Sequence, residues 1–122
     1  MLIRFCETGS EIKMGLEEIR QSLEMLSNRD YVDADTLYNL YVEFIKEVSA
    51  KVDNRFKEIE KWDIETLDEA VELVCDYLNG SSKVLDVWDS IWDAKIDKRK
   101  VDKNVVMDFL YIVKLAERMY GL

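Results

Sequence analysis

Apolar residues recur along the chain at alternating intervals of four and three, the repeat that lays one stripe along an α-helix. Ile12, Leu16, Ile19, Leu23 and Leu26 form the first stripe, and Thr8 followed by Glu11 has capping-box spacing, with Ser10 a rival N-cap. Gly15 inside that helix costs about 1 kcal/mol against alanine, which points either to close approach of a neighbour or to a late helix start. Asn28-Arg29-Asp30 reads as a turn, and Asp33 or Asp35 can cap a second helix. Leu37, Tyr41, Phe44, Val48, Val52, Phe56 and Ile59 then carry an apolar face towards Trp62. Unbroken from Asp35 to Lys61, this helix would be about 40 Å long, and Asp53-Asn54 is its one weak point.

Three more helices follow by the same criterion. Asp63 opens a third, with Leu67, Val71, Val74 and Leu78 inward and Gly80 as its stop. Ser81 or Ser82 caps a fourth, whose apolar positions are Val84, Leu85, Trp88, Ile91, Trp92 and Ile96, and which frays in Lys98-Arg99-Lys100. Asp102 caps the last, ended by Gly121. There Val105, Phe109, Ile112 and Met119 form one stripe and Val106, Leu110 and Val113 a second. Two apolar faces make this the expected central helix.

The short connections predict an all-α protein, a compact antiparallel bundle of four to five helices forming a single domain over residues 1–122. Leu2 to Cys6 is open between a short extended arm and a strand. At 122 residues the chain can bury roughly two thirds of the surface it exposes when unfolded. Its 48% hydrophobic and 35% charged residues are unlike those of a disordered tail. No apolar run is long enough for a signal sequence or a membrane span, so the expectation is a cytoplasmic protein with no membrane contact. Cys6 and Cys75 form no ligand cluster, and Cys75, beside Val74 and Leu78, reads as a buried free thiol.

Charge then separates the segments. The formal net charge is -9, which argues against direct nucleic-acid binding, because that affinity comes from neutralising phosphates with Lys and Arg. The surplus is local: residues 63–97 hold 10 acids against only Lys83 and Lys95, whereas residues 98–122 hold 3 acids and 6 bases. Glu65, Glu69, Glu72 and Asp76 line one face of the third helix, and Asp86, Asp89, Asp93 and Asp97 one face of the fourth. Like charges at these spacings repel by about 0.2–0.5 kcal/mol per pair. A solvated face that keeps the chain soluble explains such a stripe, and so does a surface that meets a basic one on a partner. Trp88 and Trp92, one turn apart and each followed by an aspartate, bring the composition of an interface hot spot, with core packing as the alternative.

The chain contains no histidine, which removes Ser-His-Asp and Cys-His nucleophile systems and His-ligated zinc. Catalysis is narrowed to carboxylates and a metal. Asp68-Glu69-Ala70-Val71-Glu72 resembles the EExxE helix motif of MazG-type all-α nucleoside triphosphate pyrophosphatases. That resemblance implies magnesium held by glutamates of this helix and by an ExxD pair of a later one. Here Glu69, Glu72 and Asp108 would be the ligands, but Val105 stands three before Asp108 where the family has glutamate, so one half of a two-part site is present.

The favoured expectation is therefore a non-enzymatic, cofactor-free acidic module that binds a protein with a basic surface. Its class would be that of inhibitors and immunity or antitoxin proteins in phage and bacterial conflict. Carboxylates one turn apart lie about 6 Å from each other, near the spacing of successive phosphates, so the face can act as a DNA mimic. The alternatives are the pyrophosphatase and a small structural or homo-oligomeric subunit whose tryptophan face is the self-contact.

Overall fold

The computed structural model describes residues 15–78 and 82–120. The Thr8–Glu11 cap, Ile12, the Leu2–Cys6 arm, Gly80, Ser81 and Gly121 lie outside them. Five α-helices and a two-stranded ribbon follow in order: α1 (Leu16–Leu26), β1 (Tyr31–Asp33), α2 (Ala34–Val52), a 3-10 turn (Asn54–Lys57), α3 (Ile64–Tyr77), α4 (Ser82–Asp97), β2 (Lys100–Asp102) and α5 (Lys103–Tyr120). The all-α bundle expected from periodicity is the fold observed.

The local chemistry sets most boundaries. Gly15 is the N-cap of α1, a late start, and its N–H donates to Glu18 Oε1 at 3.0 Å. Asp33 caps α2 by accepting from the Thr36 N–H at 3.3 Å. The long second helix does break: Asp53 turns extended, its Oδ1 accepts from the Arg55 N–H at 2.9 Å, and a 3-10 turn replaces the next α-turn. An aspartate side chain that binds the backbone two residues on offers the chain an alternative to the helix ladder. Phe56 is still buried, on that turn, its ring tilted against Trp62 with centroids 5.8 Å apart.

The ribbon is the element the helical periodicity does not contain. Val32 pairs with Val101, Tyr31 with Asp102 and Asp33 with Lys100, antiparallel. Both strands read X-Val-Asp: the valine is buried, and the aspartate caps the helix that follows, Asp102 Oδ1 accepting from the Asn104 N–H at 3.0 Å. Nor does α4 fray into its basic end. Arg99 N–H bonds back to the Ala94 carbonyl at 3.0 Å and Lys98 N–H to the Lys95 carbonyl at 3.3 Å, with Lys98 at φ 57°. This is a Schellman stop with lysine where glycine is the usual residue.

The core is built around α2, which packs against each of the other four helices; α5, expected at the centre, packs against α1, α2 and α4. The α1 and α5 helices are antiparallel, joined at one end by Lys103 N–H to the Asp30 carbonyl and at the other by Arg20–Glu117 at 2.9 Å. Tyr41, fully buried on α2, stacks on Trp88 of α4 at 5.5 Å and meets the edge of Phe109 of α5 at 5.0 Å. Its hydroxyl donates to the Val84 carbonyl in the first turns of α4. Burial pushes the Tyr41 phenol well above its ordinary value, so it stays neutral and a donor. Among the described residues, no helix is long and apolar enough to cross a membrane.

Two stability changes follow. Tyr41→Phe, which removes that hydroxyl without disturbing the rings, is expected to lower unfolding free energy by about 1 kcal/mol in urea titration, with the slope unchanged. Lys98→Gly, relieving a side chain in the left-handed region, is expected to raise it by about 1 kcal/mol; no gain would show that the turn carries no strain.

Candidate functional site

The outer surfaces of α3 and α4 carry the expected carboxylates. Glu65, Glu69, Glu72 and Asp76 on α3 are all exposed, as are Asp86, Asp89, Asp93 and Asp97 on α4. Only Asp97 of these eight has an ion pair among the described residues, to Arg99 at 3.5 Å with both side chains exposed. The two bases of the segment point elsewhere. Lys83 pairs with Asp108 of α5 at 3.2 Å. Lys95 pairs with Asp35 at the start of α2 at 2.9 Å, and its ammonium lies 4.7 Å from the Tyr38 ring centroid. The Asp35 hydrogen bond raises the Lys95 ammonium above its ordinary value, fixing the charge on that contact. Both lysines thus act as struts between helices and leave the stripes uncompensated.

The tryptophans separate. Trp88 is only 7% exposed, with its faces taken by Tyr41, Tyr38 at 6.0 Å and Trp92 at 5.8 Å. It belongs to the core, which corrects its assignment to the binding surface. Trp92 is half-buried, at the outer end of this aromatic row, 6.1 Å from Tyr38. Of the other apolar positions of this helix, Leu85 and Ile96 are 38% and 61% exposed, whereas Val84 and Ile91 are buried together with Val87 and Ala94. A helical wheel carries that signal: at 100° per residue Val84, Val87, Ile91 and Ala94 fall on one side of Trp88, and Leu85, Trp92 and Ile96 on the other. The outer face of α4 is therefore an apolar line, Leu85, Trp92 and Ile96, running beside Asp86, Asp89 and Asp93. Met119, likewise expected in a core stripe of the last helix, is exposed.

The alternative ligand set is not assembled. The main neighbours of α3 are α2 and α4, Asp108 is turned to Lys83, and no group of three acids or cysteines among the described residues could hold a metal ion. Cys75 is buried, and burial pushes its thiol up, away from the reactive thiolate.

Fold and surface together define a class: a small all-α protein that presents exposed carboxylate stripes on two packed helices. No protein-family model, no curated protein and no solved structure matches the chain.

Asp63 anchors the start of the acidic helix. Its Oδ1 accepts from the Thr66 N–H at 2.9 Å, and that bond to the ionised form holds the carboxyl below the usual carboxylate range. A lowered folded value contributes stability that is complete above the unfolded value, about 4, and is lost as pH falls through the folded one. The stability gap between wild type and Asp63→Ala is thus expected to be flat near neutrality and to narrow below about pH 4 in urea titrations. A gap unchanged in strong acid would locate the effect outside the carboxylate.

Proposed function

We propose that the chain is a non-enzymatic, cytoplasmic protein-binding module whose α3 and α4 carboxylates cover a basic surface of a partner protein, in the manner of an inhibitor, immunity protein or antitoxin. The observation that carries this reading is the outer face itself. Seven exposed carboxylates have no ion pair among the described residues, while Lys83 and Lys95 are committed to Asp108 and Asp35. A chain under no demand but solubility gains by interspersing bases on such helices, since each like-charge pair costs about 0.2–0.5 kcal/mol. Carboxylates fixed on rigid helices make a preorganised anionic array, which steers a cationic partner into contact and rejects anionic ones, nucleic acid included. A cationic surface that ordinarily holds phosphates is the matching partner, because acids one turn apart repeat at about 6 Å.

The test begins with affinity capture from the native host, identification by mass spectrometry, and binding measured with the purified partner. Asp86→Lys, Asp89→Lys and Asp93→Lys together are expected to weaken binding by roughly a hundredfold, with helicity by circular dichroism intact. Duplex DNA is expected to displace the wild-type chain. Undiminished capture by the charge-reversed protein would remove the acidic face from the mechanism.

A further inference from the structure

A second outer face, on α5, has the opposite character to that of α4. Met107, Tyr111, Lys114 and Arg118 step by four, three and four, and all four are exposed, the first two at 46% and 48%. No acid lies on this line. The flanking carboxylates are already held, Asp108 by Lys83 and Glu117 by Arg20, whereas Lys114 and Arg118 have no ion pair among the described residues. Three of the four, Tyr111, Lys114 and Arg118, also line an open groove between α1 and α5 of about 640 Å³, together with Arg20, Glu24 and Glu117.

We infer that the α5 face receives the α4 face of a second copy of this chain, giving a head-to-tail contact between protomers. Charge complementarity and register both support that occupant. On α5 the midpoint of Met107 and Tyr111 lies seven residues before that of Lys114 and Arg118, about 10 Å along the axis at 1.5 Å per residue. On α4 the midpoint of Asp86 and Asp89 precedes that of Trp92 and Ile96 by nearly the same interval, again about 10 Å. Laid antiparallel, the two helices set Met107 and Tyr111 on Trp92 and Ile96 while Lys114 and Arg118 meet Asp86 and Asp89. Apolar surface then covers apolar surface, and Lys114 and Arg118 find opposite charges in Asp86 and Asp89.

The contact uses a different patch on each protomer, so it is heterologous and extends or closes into a ring. It leaves Trp88 inside the fold, unlike a self-contact made by the tryptophan pair. The inference stands apart from the proposed partner, although that partner would compete for the α4 face.

The experiment is sedimentation velocity on the purified chain alone, from micromolar to millimolar concentration, at low and high salt. Wild type is expected to self-associate at low salt and to dissociate as salt screens the pairs. Lys114→Glu with Arg118→Glu, and separately Asp86→Lys with Asp89→Lys, are each expected to sediment as monomers. Their equimolar mixture is expected to associate again, since one protein then carries two acidic faces and the other two basic ones. Ile96→Ser, which leaves every charge in place, is expected to weaken wild-type association at least tenfold. A monomeric wild type under all conditions, association untouched by either reversal, or a mixture that stays monomeric would each overturn the inference. None of these readouts involves the basic partner, so loss of self-association and loss of partner capture are separately visible.

Discussion

The stacking of Tyr41 between its neighbours is the interaction on which the remaining architecture depends. Tyr41 sits on α2, which packs against each of the other four described helices, and it makes contact in three directions: the Trp88 ring of α4, the Phe109 edge of α5, and the Val84 carbonyl. Phe44, one turn on, repeats the contact to Phe109 at 5.8 Å. These rings fix α4 and α5 against α2, and thereby fix which sides of α4 and α5 remain outside. The composition of the outer faces is a consequence of that orientation. With Trp88 turned into the row, Trp92 stays half-buried at its outer end, and Leu85, Asp89 and Ile96 have nowhere to go but the surface.

Much of this was legible in the intervals between apolar residues, because helix interiors are long enough for a period of 3.6 to declare itself. The inward set of α3 and the caps Asp33, Asp63 and Asp102 are all found in place. The ribbon was not legible, since a strand of three residues contains a single inward side chain and no period. Its trace was instead a repeated Val-Asp before a helix start, at Val32-Asp33 and Val101-Asp102. The centre of the bundle was misplaced for a different reason. Two apolar stripes do show that α5 is buried on two sides, but which helix touches every other is a tertiary property that no stripe records.

The candidate surface divides along the same line. Exposure of the carboxylates could be read from spacing, whereas the fate of Lys83 and Lys95 could not, because their partners Asp108 and Asp35 are distant in sequence. Those two pairs make the acidic field sharper than composition implies. A lysine within a carboxylate stripe ordinarily dilutes it; here Lys83 pairs with Asp108 of α5 and Lys95 with Asp35 of α2, so neither pairs with a carboxylate of the stripes.

This coupling between scaffold and surface limits what the outer face can be. Exposed acids alone favour solubility and repel one another, and a purely solvated face has no use for an apolar line such as Leu85, Trp92 and Ile96 beside them. Exposed apolar side chains alone would be a liability in an isolated molecule. Side by side on one rigid helix, they have the make-up of a contact surface: apolar area that gains by leaving water, bordered by charge that sets which partner and which register are accepted. An uncharged apolar partner would leave the aspartates desolvated and unpaired, and a basic partner without apolar side chains would leave Ile96 in water. A surface that is both basic and apolar would complement this face on both counts, and α5 of the same chain presents one.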